Sequence, residues 1–399
     1  MISLFLKKSF YNKFFLKACF FLLIWPCNDL IAQDSWVNYT SDNTPMSDHQ
    51  INDILIVDNI KWVGTNWGLF SFNNTTWSDY SEYLPNNQVQ SLALDNNGYL
   101  YVSTLGGLAI FDGNNWSQIT PDNSPLPSHI NEIVFNQNNI GFIGTIDGLY
   151  KKENETISLL LDSSSLEPTF VNINALAFKG DSLCIGTING GLAYWYNDSI
   201  SWYNATNGLI DNTATDLLIM NENIWISCPY GGLISHLVNG NFLTFNAGIF
   251  PNWPSNSLTS LFLDEPLLYV GSNEAGFFEF TYQNGIQNTT VYNTQNSALI
   301  DNTVLCFDKG NDGFWIGTEG GLVNWNKSVS INTPELNNNL FEIIQDEIVI
   351  DNVCDVILFS LDGKQVYKSN NQSRIDISLF SKGLYIISID SKTNLVSFY

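Results

Sequence analysis

Apolar residues along this chain come in short runs that alternate with polar ones and stop at Asn, Asp or Gly. Val89 to Asp95 alternates in this way, Asn96-Asn97-Gly98 interrupts it, and Tyr99 to Thr104 resumes it. Alternation at a period of two is the signature of a strand with one buried face, and Asn and Gly supply the positive φ that hairpin turns need. Leu105-Gly106-Gly107 then marks a second turn, Leu108 to Asp112 a third strand, Gly113-Asn114-Asn115 a third turn and Trp116 to Thr120 a fourth strand. This spacing predicts a four-stranded antiparallel sheet with its strands in chain order.

The same pattern returns along the chain. Trp62-Val-Gly-Thr-Asn-Trp-Gly-Leu-Phe is echoed by runs that open at Tyr101, Phe142, Cys184, Trp225, Tyr269 and Trp315, at intervals of 39 to 46 residues. Seven copies of that length each fit one four-stranded sheet. One such sheet cannot bury both faces, so the copies must pack side by side and close into a ring, a seven-bladed β-propeller. The aromatic that opens the second strand and the small Gly after it suit interlocking between blades. Trp36-Val-Asn-Tyr-Thr matches the outer-strand runs Trp77-Ser-Asp-Tyr-Ser and Trp116-Ser-Gln-Ile-Thr, yet nothing before it supplies three inner strands. It is expected to complete the seventh blade, with Ser328 to Ile331 as the other candidate for that place.

Both ends read differently. Residues 1–33 carry Lys7, Lys8, Lys13 and Lys17 ahead of the apolar run from Ala18 to Trp25, which is too short to span a bilayer and reads as a signal peptide cleaved near Ala32 or Gln33. Cys27 opens a lipoprotein alternative, against which Pro26 stands. The expected organisation is a signal peptide over 1–33, a propeller over 34–333 and a small C-terminal β-sandwich (Ig-like) domain over 334–399. The tail runs through Val353 to Ser360, an Asp362-Gly363-Lys364 turn, Ile375 to Leu379 and Gly383 to Ile389. The fold class is therefore all-β, and no segment after residue 34 is long and apolar enough to predict a membrane-spanning helix.

Charge narrows the function. Without residues 1–33 the chain holds 11 Lys and Arg against 38 Asp and Glu, and Arg374 is its one arginine. That balance excludes a protein that tracks nucleic-acid phosphates. His49, His129 and His236 are scattered and give no metal-ligand spacing. Cys184, Cys228, Cys306 and Cys354 each lie in an apolar run and are expected to be buried thiols. No phosphate loop, nucleophile elbow or metal motif occurs, so no cofactor, metal or catalytic residue is assigned.

Two resemblances follow from these motifs. Asp112-Gly-Asn-Asn-Trp116, Asn123-Ser-Pro-Leu-Pro-Ser128 and Trp315-Ile-Gly-Thr318 resemble the two-component regulator propeller repeat. The Asp362-Gly363-Lys364 turn and the late Gly383-Leu-Tyr-Ile strand resemble the C-terminal sorting domain of the type IX (Por) secretion system. Together they imply a Bacteroidetes-type secreted or cell-surface protein that engages the type IX machinery through its tail. In sensors the propeller precedes a membrane helix and a kinase, neither of which this sequence contains.

On a propeller, ligands usually meet the face that carries the turns between second and third strands and the links between blades. Here those turns hold Asn66, Trp67, Asp147, Asn189, Tyr230, Glu274 and Glu319, and the links hold His49, Tyr83, His129 and Trp253. Trp67, Tyr230 and Trp253 offer flat apolar faces for sugar rings or a partner's side chains, and the carboxylates offer acceptors. The expected function is binding of an extracellular glycan or protein without catalysis. The alternative is a secreted polysaccharide-cleaving enzyme that uses carboxylates on that face, Asp147 and Glu319 being the nominees. Asp95-Asn-Asn-Gly and Asp308-Lys-Gly-Asn-Asp-Gly faintly suggest calcium loops, but turn chemistry accounts for them.

Overall fold

The computed structural model describes residues 34–162, 172–197, 199–237, 240–283, 286–327, 342–344, 347–360, 365–378, 380, 383–389 and 392–398. The signal segment, Ser328 to Ile331 and the Asp362-Gly363-Lys364 turn lie outside them. Asp34–Lys327 forms one compact unit and the tail belongs to another.

The first unit is a seven-bladed β-propeller of four-stranded antiparallel sheets. Blade 1 comprises Ile51–Val57, Ile60–Thr65, Gly68–Phe72 and Trp77–Asp79. Blade 2 runs over Val89–Leu94, Leu100–Thr104, Gly107–Phe111 and Trp116–Ile119, within a residue of the four runs read from the sequence. Blades 3 to 6 begin at Ile130, Ile173, Asp216 and Leu258. Blade 7 takes three strands from Val304–Gly310, Gly313–Thr318 and Gly321–Asn326, and its outer strand is Ser35–Tyr39 from the start of the ring. Ser35 to Tyr39 pair with Asn326 to Leu322 in unbroken antiparallel register. Trp36 stacks on Trp325 at 5.1 Å and Tyr39 on Trp315 at 5.5 Å, so the closure is apolar as well as hydrogen-bonded. Inner strands of consecutive blades touch all the way round, from blade 7 back to blade 1.

The repeat explains itself in packing terms. Trp62, Tyr101, Phe142, Cys184, Trp225, Tyr269 and Trp315 are all buried. Two places on, a Cβ added at Gly64 would sit 2.5 Å from Val89 of the next blade, and one at Gly144 would sit 2.8 Å from Ile173. Only glycine or the buried Ser103 and Ser227 stand there, because the next inner strand fills the space. The following Thr clamps the turn. Thr65 Oγ1 donates to the Gly68 carbonyl at 3.0 Å and accepts from the Trp67 amide at 3.1 Å, and Thr104, Thr145 and Thr318 repeat both bonds. Gly107 must be glycine because its φ is +126° and a Cβ would lie 2.3 Å from the Ile119 carbonyl oxygen.

The seam between blades 7 and 1 carries one further device. Lys61 is wholly buried there, paired with Asp312 at 2.5 Å, bonded to Asn74 and lying over the Trp315 ring. Cys184, Cys228 and Cys306 are buried free thiols.

In the tail, Glu342–Ile344, Glu347–Ser360, Gln365–Asp376, Gly383–Ile389 and Lys392–Phe398 are hydrogen-bonded into one five-stranded antiparallel sheet. Register shifts along Glu347–Ser360 let that long strand bend. Ile348, Ile350, Val356, Leu358, Ile375, Ile377, Tyr385 and Ile387 form one buried apolar cluster, which a flat sheet could not cover.

Candidate functional site

Two sets of polar residues face open space on the ring, and they differ in how they are bonded. The first lines the axis. Where each inner strand passes the central channel, a void of about 420 Å³ is bordered by Asn52, Asn131, Asn174, Thr215, Thr259 and Leu305, among others. A register shift at this level, present in six of the seven inner strands, turns backbone groups away from the ladder. Side chains from the preceding blade take them up. Asn52 Nδ2 donates to the Val89 carbonyl at 2.7 Å, Asn131 Nδ2 to that of Ile173 at 2.7 Å, Asn174 Nδ2 to that of Ala214 at 3.1 Å and Thr215 Oγ1 to that of Leu258 at 3.0 Å.

Half-buried carboxylates do the converse. Asp53 accepts from its neighbour Ile54 at 2.8 Å and from Leu92 of blade 2 at 2.7 Å. Asp216 accepts from Leu217 and from Leu261 of blade 6, both at 2.7 Å, and Glu132 accepts from Leu176 of blade 4 at 2.6 Å. The equivalent residues of blades 2, 4, 6 and 7 are Ser91, Ala175, Ser260 and Cys306. Asp53 and Asp216 thus each serve amides of two blades, Glu132 serves one of the next blade, and blades 2, 4, 6 and 7 have no carboxylate at this position. Burial pushes Asp53 up to about 7 and Asp216 up to about 6, against the pull of those amide donors. Burial, then the charges of Asp216 and Asp53, also raises Glu132. These acids have shifted titrations in a channel, but their oxygens hold neighbouring blades together. Nothing in the sequence marks them, because the position varies from Asp to Ala while its place in the fold does not.

The second set is the face of turns and links. Trp67 is 63% exposed and Tyr230 82% exposed, the two largest values among the exposed aromatic rings of the described residues. Asp147, Asn189, Glu274 and Glu319 are exposed turn residues, and Asn66 is partly covered, its Oδ1 accepting from Asn52 at 3.0 Å. The turns are fixed by the links beside them: Asp211 accepts from the Tyr230 amide at 3.0 Å and the Gly231 amide at 2.8 Å, and Thr213 accepts from the Asn189 amide at 3.1 Å. His129 is half-buried next to Asp147. Burial lowers its pKa and the Asp147 charge partly restores it. His49 is exposed and meets the Ser41 hydroxyl at 3.0 Å, and Tyr83 stacks on Trp116 at 5.5 Å.

Trp253 corrects the sequence reading. It is 5% exposed, with Phe278 at 5.1 Å and Phe280 at 5.6 Å edge-on to its ring, and so belongs to the core of blades 5 and 6. Blade 6 carries a Phe pair that leaves a slot for a third ring, and the link folds Trp253 into it. Asp147 and Glu319 stand on blades 3 and 7, with at least two blades between them. Asp95 accepts from the Asn97 and Tyr99 amides at 2.8 and 2.9 Å, and Asp308 from those of Lys309 and Ile56, as turn and staple residues. Among the described residues no group of three His, Cys, Asp or Glu is placed to hold a metal.

Sequence reasoning missed a groove of about 580 Å³ beside Trp67, bounded by Asn66, Asn86, Asn87 and Gln88. A turn aromatic followed by a run of amides in the next link is the signal that could have found it. Two larger hollows, of about 780 and 680 Å³, open beside the turns at the other end of the strands in blades 2 to 4. Several of their polar groups, Asp95 and Asn139 among them, are engaged in turn hydrogen bonds.

Residues 334–397 match the secretion system C-terminal sorting domain, and residues 83–106 match the two component regulator propeller. The chain joins regulator-type propeller repeats to a sorting domain. That sorting domain addresses it to the type IX secretion machinery and places it outside the cell or on its surface. Among the described residues no helix is long and apolar enough to cross a membrane. Solved structures share the fold. The extracellular domain of BT3049, assigned as a hybrid two component system of B. thetaiotaomicron, is 17% identical with a TM-score of 0.64, over 91% of this chain and 57% of that one. PorZ, a surface component of the type-IX secretion system of Porphyromonas gingivalis, is 13% identical with a TM-score of 0.53, over 91% and 60%. Virginiamycin B lyase from Staphylococcus aureus is 11% identical with a TM-score of 0.57, over 74% and 99%. The chain thus spans less than two thirds of the first two, and at these identities the likeness is one of fold. No curated protein matches the sequence.

Proposed function

We propose that this is a non-catalytic recognition propeller, exported by type IX secretion, that binds an extracellular glycan or protein through the face of turns and links. One observation carries the reading. Trp67 and Tyr230 project from that face at 63% and 82% exposure, further than the other aromatic residues among the described residues. Large rings left in water on hydrogen-bonded turns of one face are the mark of a recognition surface. The propeller and the tail are proposed to be separate domains meeting near Pro334, the tail serving as the address.

The test is a glycan array and a cell-surface protein capture with the purified full chain, followed by product analysis on every glycan that binds. Saturable binding with the ligand recovered intact supports the proposal. Turnover of a polysaccharide, lost in Asp147→Asn or Glu319→Gln, would establish the enzyme instead.

A further inference from the structure

We infer that the groove between the Asn66-Trp67 turn and the Asn86–Gln88 link is a subsite for a neutral sugar residue stacked on the Trp67 indole. The inference rests on the recognition reading above and narrows it to one place and one ligand chemistry.

The lining is an indole and four carboxamides, with no charged side chain. In a chain with 38 acids and 11 bases after residue 33, an uncharged concavity of about 580 Å³ is a selective feature. An anionic ligand would find no cation in it and a cationic ligand no carboxylate. A sugar hydroxyl both donates and accepts, and so does a carboxamide, so the two match without a charge on either side. The C–H face of a pyranose is apolar and flat enough to lie on indole, whose own face is here open to solvent.

The frame is set before any ligand arrives. The Asn86 side chain accepts from the Gln88 amide at 2.8 Å, and the Gln88 carbonyl accepts from the Leu105 amide at 3.3 Å. Gly106 leaves no slack behind the link, since a Cβ there would lie 2.8 Å from Asn86. On the other wall the Trp67 amide is held by Thr65, and the Asn66 oxygen by Asn52. No hydrogen bond within the described residues engages the side chains of Asn87 and Gln88. A fixed backbone loses less entropy on binding than a mobile one, and the unbonded Asn87 and Gln88 amides keep their donors and acceptors for a polar ligand.

The experiment measures binding of soluble neutral polysaccharides (β-glucan, mannan, xylan, galactan) and of charged ones (polygalacturonate, a sulfated galactan) to the full chain by affinity electrophoresis and calorimetry. A neutral polymer should bind. Trp67→Ala should weaken it by about tenfold or more, as expected for loss of a stacking face, with the melting temperature unchanged. The double variant N87A/Q88A should weaken it several-fold, and it decides the matter if Trp67→Ala melts early. Binding of neutral polymers that neither change affects would overturn the subsite while leaving glycan recognition intact, and Tyr230→Ala would then locate it. Binding of charged polymers alone would overturn it too. No binding to any polysaccharide would remove the glycan half of the proposed function, and this subsite with it.

Discussion

The channel wall and the rim of the ring are both built from Asn, Asp, Thr and Gln, yet they use them in opposite ways. At the wall, side-chain amides, hydroxyls and carboxylates of one blade bond the backbone of the next, as with Asn52 to Val89 and Leu92 to Asp53. At the rim beside Trp67, Asn86 and Thr65 bond backbone amides of their own link and turn, and the side chains of Asn87 and Gln88 line a groove without a hydrogen bond among the described residues. Polar side chains bonded across the seams between blades hold the ring, and polar side chains left unbonded beside a groove are available for a ligand. Composition alone cannot separate the two, because the residue types coincide.

The comparison can be broken at several levels, the largest effect being at the seam. Deleting Ser35–Tyr39 removes the strand that closes blade 7, together with the Trp36 and Tyr39 stacking contacts. A loss of about 5 kcal/mol or more is expected, of the order seen when one or two buried aromatics are removed. Thermal unfolding of the truncated and full chains checks this, and equal midpoints would mean that the strand contributes nothing to closure.

A smaller loss is expected at the wall. Asp53→Ala leaves the Ile54 and Leu92 amides without their acceptor, at a cost of roughly 2–4 kcal/mol for two stranded donors. Urea unfolding should show the midpoint lowered, whereas the same change at exposed Glu274 should leave it in place.

The wall should also make stability depend on pH. Asp53 and Asp216 have folded pKa values of about 7 and about 6, above their ordinary 3.8. Groups raised on folding favour the native ring while protonated in it. Their contribution is full below about pH 4 and is lost as pH rises to 6 for Asp216 and 7 for Asp53. The melting temperature should therefore fall between pH 4 and pH 7, and the double variant D53N/D216N should flatten that fall. A midpoint that rises across this window in the unaltered chain would contradict the assignment.

The frame of the ring was legible because its demands recur. The large residue at 62 and its six counterparts, the small residue two places on and the Thr clamp each answer one packing or turn requirement seven times or nearly so. The closing strand was legible through Trp36 and Tyr39, which match outer strands elsewhere. The wall was not, since Asp53, Ser91, Glu132, Ala175, Asp216, Ser260 and Cys306 share a position and no chemistry. The rim was read in part. Trp67 and Trp253 look alike as aromatic residues on one face, and only the Phe278 and Phe280 slot decides that one is core. The groove beside Trp67 needs the turn of one blade and the link to the next together, a juxtaposition that periodicity does not show.

The most direct test of the division between wall and rim measures both properties on both variants. Melting temperature and affinity for the tightest-binding neutral polysaccharide are determined for Asp53→Ala and Trp67→Ala beside the unaltered chain. The account predicts that Asp53→Ala melts earlier yet binds as well at a temperature where it is folded, and that Trp67→Ala melts normally and binds about tenfold more weakly or worse. If Trp67→Ala instead lowers the melting temperature as much as Asp53→Ala does and leaves affinity unchanged, the rim tryptophan is part of the scaffold and the division fails.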